Sequence, residues 1–241
     1  MNILAIGAHP DDLEEFCGGT LALYARAGHP VTMCVVTDGQ GNPLGKPEEI
    51  AAIRKAEAQA SADVIGAALV WMAIPDGRVM VDEATHNRFV DVIRAAAPDV
   101  IITHPPDDYH PDHINTNQLV LQATQGAHTA NYPSALPPLP HAMPIAFMDA
   151  ELGINFQPEE YVDISEVWET KLNMLLQHRS QCMPGRTYDP DFVMPPPDQI
   201  GLARETRILS EFRGLSCGAR YAEGFRWWRV AYRLGTKRLL P

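Results

Sequence analysis

ILAIGAHPDD, residues 3–12, is the stretch on which the fold of this chain turns. Four apolar residues run into Gly7 and then into His9, Pro10, Asp11 and Asp12. A short apolar run that ends in a turn predicts a buried strand over residues 2–7. In many α/β proteins the turn after such a strand carries glycines that approach a phosphate. Here it carries carboxylates, which repel phosphate and suit a cation.

Outward from this stretch, strand-like and helix-like segments alternate. Strands are predicted over 2–7, 31–37, 68–73 and 100–103, and helices over 18–27, 47–66, 83–97 and 111–125. Pro47 and Pro111 sit where proline is tolerated, in a first helical turn, and Gly28 and Gly66 where helices commonly stop. Such alternation implies right-handed βαβ units and an α/β fold, a mostly parallel sheet with helices on both faces. Beyond Gln125 the pattern loosens. Residues 126–144 hold five prolines and read as a long irregular loop, followed by a strand over 145–148. A strand at 162–164 leads to a helix over 166–181. A second proline-rich stretch, 183–198, precedes a helix over 202–215. Loops of this length inside a compact domain are commonly functional, so both are expected to shape the substrate site. With no repeat and no linker, residues 1–241 form a single domain.

Composition narrows the function. The 241 residues are 46% hydrophobic, enough for a sizeable core, and the formal charge is −11. That charge argues against nucleic acid and anionic membrane as partners, because both demand basic surfaces. Cys17, Cys34, Cys182 and Cys217 show no CxxC spacing, so neither a disulfide framework nor a cysteine zinc site is expected. No basic-then-apolar leader opens the sequence, and no apolar run approaches the ~20 residues of a membrane helix. A cytoplasmic protein with no membrane span is the expectation. The C-terminal tail FRWWRVAYRLGTKRLL, residues 225–240, alternates bulky apolar and basic residues, and could cover a core edge or meet another subunit in a homo-oligomer.

Two segments carry chemistry. The first is His9-Pro10-Asp11-Asp12; the second, His110-Pro111-Asp112-His113, follows the fourth strand at the start of a helix. In the doubly wound order 3-2-1-4-5, strands one and four are neighbours at the topological switch point, where ligands bind beyond the strands' carboxyl ends. Alone, HPDD is a polar turn and HPDH a helix cap. Brought together, they offer three histidines and three aspartates. A catalytic zinc needs three protein ligands and an open position. His9, Asp12 and His113 supply them. Asp11 is left to take a proton from the attacking water, and His110 to stabilise the oxyanion or protonate the leaving nitrogen. Such ligands also accept Fe2+, Co2+ or Mn2+. Arg54 and Glu57 fall on the inward side of their helix, either as a buried i,i+3 ion pair or with Arg54 reaching substrate or a ligand-bearing loop. His104 is a candidate partner for a ligand histidine. Asp107 and Asp108 are candidates for the same role, with a solvated acidic loop the favoured reading, and His29 and His86 read as bystanders.

At these residues the sequence resembles the LmbE-like (PIG-L) family of zinc-dependent N-deacetylases. The resemblance runs through AHPDDLEEFCGGT (8–20), TDGQG (37–41), IRKAE (53–57), IPDG (74–77) and HPPDDYHPDH (104–113). It continues through YVDIS (161–165), KLNMLLQHRSQ (171–181) and ARYAEGFR (219–226). It implies a Rossmann-like fold and hydrolysis of an N-acetyl group on an amino sugar or amino sugar conjugate such as an N-acetylglucosamine derivative. It also implies His9, Asp12 and His113 as metal ligands, Asp11 as base and His110 as transition-state stabiliser, with Asp112 orienting His110 and Arg54 touching substrate. The alternative activity is a metal-dependent hydratase or lyase acting on a small carboxylated metabolite, with Arg54 clamping a carboxylate. A non-catalytic nucleotide-binding module is disfavoured by the missing G-x-G-x-x-G.

Overall fold

β1 (Ile3–Gly7) is buried along its whole length. Its alternation sends Ile3 and Ala5 into one core and Leu4 and Ile6 into another, so the sheet is covered on both faces. The computed structural model describes residues 1–183, 185, 187–230 and 239–241. The other strands are β2 (Val31–Thr37), β3 (Ala68–Ile74), β4 (Val100–Thr103), β5 (Ile145–Phe147), β6 (Glu160–Asp163) and β7 (Ala222–Trp227). The helices are α1 (Asp12–Arg26), α2 (Pro47–Val64), α3 (Glu83–Ala96), α4 (Pro111–Ala127), α5 (Trp168–Leu176), α6 (Arg179–Cys182) and α7 (Gly201–Cys217).

The strand order is β3-β2-β1-β4-β5-β7-β6. The five strands from β3 to β5 pair in parallel, whereas β7 runs antiparallel between β5 and β6. One face buries Phe16, Leu21 and Tyr24 of α1 with Trp168 and Met174 of α5. The other buries Phe89, Val90 and Ile93 of α3 with Leu119, Val120 and Ala123 of α4. β1 and β4 are in register from Ile3 opposite Val100 to Ile6 opposite Thr103. The turns that leave these two strands therefore emerge side by side.

Three elements differ from the sequence expectation. Helix α1 begins at Asp12, not at Gly18, because Asp12, Glu14 and Glu15 in its first turn favour the positive end of a helix dipole. Gly18 and Gly19 lie inside it; a Cβ on Gly19 would stand 2.7 Å from Ile164, so the glycine permits close packing. The helix expected over 166–181 is two, α5 and α6, parted at the fully buried His178. β7 went unread as a strand, since Glu223 and Arg226 interrupt its apolar pattern.

Glu223 shows why a charge can sit there. Its carboxylate accepts from the N–H of Gly19 and Thr20, both at 2.8 Å, and from Lys171 Nζ at 2.6 Å. Lys171 also donates to Glu15 O at 2.7 Å. A buried ion pair thus ties β7, α5 and the middle of α1 together. The loop 128–144 is held on the far side: Arg94 donates to the carbonyls of Gly126, Ala127, Thr129 and Leu136. Of the tail, 231–238 lie outside the described residues, while Leu240 is buried in the core and Leu239 O accepts from Tyr24 Oη at 2.7 Å. All four cysteines are free. Among the described residues, no helix is long and apolar enough to cross a membrane.

Lys171→Met leaves the Glu223 carboxylate buried without its counter-ion, and urea unfolding is expected to show a loss of about 3–5 kcal/mol. Combining K171M with E223Q should recover part of it, because no charge is then left unpaired. Equal stability of K171M and the parent would refute the assigned role of the pair.

Candidate metal centre

The turn leaving β1 places His9 and Asp12, and the start of α4 places His110 and His113. His9 Nδ1 lies 3.1 Å from His113 Nε2, His9 Nδ1 lies 3.5 Å from Asp12 Oδ2, and His113 Nε2 lies 3.4 Å from Asp12 Oδ1. An ion that holds N and O donors tetrahedrally at about 2.0–2.1 Å keeps those donors about 3.3 Å from one another. Each spacing is close to that edge length, the two to Asp12 being made by different carboxylate oxygens, on side chains between 4% and 12% exposed. His110 with His9 and His113, and His104 with Asp12 and His113, make neighbouring donor groups. His104 is spoken for: it is fully buried, and its Nε2 receives the Ala8 N–H at 2.9 Å and lies 3.0 Å from Asp12 Oδ2.

A second ring of carboxylates backs the histidines. Asp108 Oδ2 stands 3.1 Å from His113 Nδ1. Asp76 Oδ1 and Asp112 Oδ2 stand 3.2 and 3.4 Å from His9 Nε2. Carboxylates on the far nitrogen of a ligand histidine fix its tautomer and raise its basicity. Asp108 is therefore no solvated loop residue; its side chain is 1% exposed. Asp76, from the IPDG segment beyond β3, was not singled out by the sequence reading. The available signal was a carboxylate just past the carboxyl end of a strand.

The charge balance points the same way. Burial works against charging His9, but Asp12, Asp112 and Asp76 outweigh it and push the ring up to about 12. Burial likewise opposes charge on His113, and Asp12 and Asp108 push it up to about 10. Burial favours the neutral form of Asp12, yet His113, His104 and His9 hold its carboxyl well below the usual range. Without an ion, protons on the histidines satisfy these carboxylates. A divalent cation between the same atoms would replace those protons.

Asp11 is different. It precedes α1 with φ 117° and ψ −28°, a conformation L-residues avoid, and its side chain makes no capping bond. Burial raises its carboxyl above the ordinary range, although Arg54 and His178 pull it down. Arg54 donates to Pro10 O and, at 3.1 Å, to Asp11 Oδ2. It passes beneath Gly39, where a Cβ would stand 2.7 Å from its Cδ. Of the two readings of Arg54, the reach to the ligand-bearing loop is the one observed. Glu57 instead accepts from Ser180 N at 2.8 Å and Ser180 Oγ at 2.6 Å.

His110 caps α4: its Nδ1 accepts the backbone N–H of Asp112 at 3.1 Å, which leaves Nε2 to carry the proton of the neutral ring. Burial and the neighbouring His9 and His113 lower its pKa, favouring that neutral ring. The orienting group is thus the Asp112 main chain. The Asp112 carboxylate is engaged elsewhere, accepting from Gly77 N at 2.7 Å and Val79 N at 3.2 Å beside its contact with His9. His178 is buried with its Nε2 3.1 Å from Glu14 Oε1. His29 and His86 fit their bland readings, near the N-terminal amine and Tyr132. The cleft above the centre is lined by Tyr109, Glu15, Glu151, Gln181, Leu202 and Glu205 besides these residues. Gln181, Leu202 and Glu205 flank 183–198, and no residue of 126–144 is among the described residues that line the cleft.

The pattern of the PIG-L family, described as GlcNAc-PI de-N-acetylase, matches residues 4–124. The chain belongs to this family. A diacetylchitobiose deacetylase of Thermococcus kodakarensis is 26% identical over 234 residues, 93% of this chain and 82% of the relative. A 4-oxalmesaconate hydratase of Pseudomonas putida is 26% identical over 199 residues, 77% of this chain and 74% of the relative. The solved N,N'-diacetylchitobiose deacetylase of Pyrococcus horikoshii superposes with a TM-score of 0.79 at 26% identity, covering 93% of this chain and 82% of that one. This PIG-L chain therefore shares its fold and family with deacetylases.

Asp108→Asn should weaken divalent-metal affinity about 10–100-fold, and His113→Ala should abolish stoichiometric binding. Elemental analysis after dialysis, together with titration of the metal-free protein, reads both. Undiminished binding by the His113 variant would remove it from the centre.

Proposed function

We propose that this PIG-L protein is a zinc-dependent hydrolase that removes the N-acetyl group from an amino sugar or amino sugar conjugate. The observation that carries the reading is the pairing of a three-donor centre with a carboxylate, Asp11, adjacent to a ligand yet outside the ligand set. His9 Nδ1, Asp12 and His113 Nε2 would hold the ion; Asp76, Asp112 and Asp108 would keep the two rings in the required tautomers. When bound, zinc supplies Lewis-acid activation of a water and of the acetyl carbonyl.

The chain's own groups do the rest. Asp11, with its carboxyl raised by burial, takes the proton of the attacking water as the C–O bond forms. Arg54 holds both Asp11 and the Pro10 carbonyl, so the base keeps its aim through that transfer. The Nε2–H of the neutral His110 ring donates to the oxygen that gains charge. The Asp11 proton then passes to the leaving nitrogen as the C–N bond breaks, giving acetate and a free amine.

A hydratase acting on a carboxylated metabolite is the competing activity, and one relative bears such a name. It needs a cation to grip the substrate carboxylate. Arg54, the candidate, is 3% exposed and already engaged with the loop, which favours the amide substrate.

Asp11→Asn is expected to keep its metal and lose about 10²–10⁴-fold in kcat. Acetate release from a panel of N-acetylated sugars and sugar–thiol precursors, with and without chelator, measures this. Ultraviolet monitoring of unsaturated acids runs beside it. Chelation should abolish acetate release and zinc should restore it. Turnover of the acids with none of the amides would overturn the proposal.

A further inference from the structure

A second cavity, about 240 Å³, opens beside the metal cleft and shares Tyr109 and Glu151 with it. The Tyr109 hydroxyl donates to the Glu151 carboxylate, so this pair forms the sill between the two spaces. The cavity begins one residue from the centre. Asp108, also in its wall, stands 3.1 Å from His113, and the ring centroids of Tyr109 and His113 are 6.1 Å apart. Its large apolar side chains, Tyr109, Leu152 and Ile154, are 68%, 53% and 60% exposed. Apolar surface gathered around a hollow marks a binding site more often than a bare surface. About 150 Å³ is enough to receive benzene, so the space suits a group of aryl size.

The turn that presents Leu152 is held firmly. Leu152, Gly153 and Asn155 take φ of 54°, 67° and 57°, a left-handed conformation that glycine and asparagine adopt readily and leucine does not. Arg213 clamps both ends of this turn. Its Nε and Nη2 donate to the Asp149 carboxylate at 2.6 and 3.0 Å, and Nη2 also donates to Phe156 O at 3.3 Å. The guanidinium passes under Gly153, where a Cβ would stand 2.7 Å from Nη2. The buried ion pair thus keeps a strained leucine at the rim of the cavity with half its surface in water. A glycine there would fold at lower cost, and strain kept at a cleft is a sign of use. A ligand that covers Leu152 recovers the apolar surface it exposes.

We propose that this cavity is the aglycone subsite: the substrate is an N-acetylated amino sugar whose aglycone, the group attached to the sugar, is apolar and of aryl size, received by Leu152, Ile154 and Tyr109. The acetyl group has no chain to reach a second cavity, which leaves the amine side of the substrate to fill it. This names the substrate class of the same site; it rests on the amide-hydrolase reading for the reaction, but not for the binding.

The test uses the full-length, metal-loaded protein and three neutral probes. These are the phenyl and methyl glycosides of N-acetylglucosamine and the methyl glycoside of N-hexanoylglucosamine. Release of the free amine gives kcat/KM for all three, and calorimetry on the two de-acetylated glycosides gives binding without turnover. The phenyl glycoside should exceed the methyl one by about tenfold in both measures, with a more negative heat capacity of binding. Leu152→Gly suits the left-handed turn, and Ile154→Ser leaves the backbone alone. Each should bring the phenyl-to-methyl ratio to within about twofold to threefold of unity. The ratio is the readout, so a general loss of activity in either variant does not imitate the result. Equal use and equal binding of the two glycosides would overturn the inference and leave the hydrolase reading standing. Phenyl-selective binding with no amine from any probe would do the reverse. A Leu152-dependent preference for the hexanoyl amide alone would give the cavity to the acyl group and overturn the assignment. So would a phenyl preference unchanged in both variants. An oligomer that dissociates in both variants by light scattering would make the patch a subunit contact, and would overturn it too.

Discussion

Two imidazole nitrogens 3.1 Å apart, with a carboxylate 3.4–3.5 Å from them, need positive charge among them. Lone pairs that face each other inside a protein repel unless a proton or a cation stands between them. Much of the site follows from that constraint. His9 and His113 are each backed by carboxylates, Asp12 is pinned by the His9 N–H at 2.6 Å, and His104 fills the space beneath. The register of β1 on β4 brings the donors together, since a one-residue slip would carry the HPDD turn away from the HPDH helix.

Around that centre the protein spends its charged side chains on positioning. Arg54 threads under Gly39 to reach the Pro10–Asp11 turn, Glu57 ties α2 to Ser180, and Lys171 with Glu223 grips α1 from behind. Each of these joins segments far apart in sequence. Together they surround α1, which starts at the proposed ligand Asp12 directly after the proposed base Asp11. The cleft outside is left acidic, in keeping with the net charge of the whole chain.

The parallel half of the fold was legible because each of its strands is a short apolar run and each helix has a proline or glycine at an end. Pro47 and Pro111 begin α2 and α4, as their fixed φ allows. The candidate metal donors were legible because histidine and aspartate at a strand's end have few structural uses. The rest was hidden for identifiable reasons. Polar residues at the start of α1 look like loop until the strand before them is known to abut a helix. β7 carries a glutamate whose partners, Lys171 and the N–H groups of Gly19 and Thr20, are more than 50 residues away. Asp76 and Asp108 gain their meaning only from the side of a histidine they face, and a sequence does not show which ring nitrogen is free.

The backbone at Asp11 has a consequence of its own. A non-glycine residue at φ 117° is strained by about 1–3 kcal/mol, and the strain aims the carboxylate into the cleft. Glycine would relax the turn, so the most stable version of this loop is one without a base. Thermostability and turnover therefore pull against each other at a single position. On the proposed role of Asp11, a library screened for heat resistance alone would drift toward a sturdier protein stripped of its base.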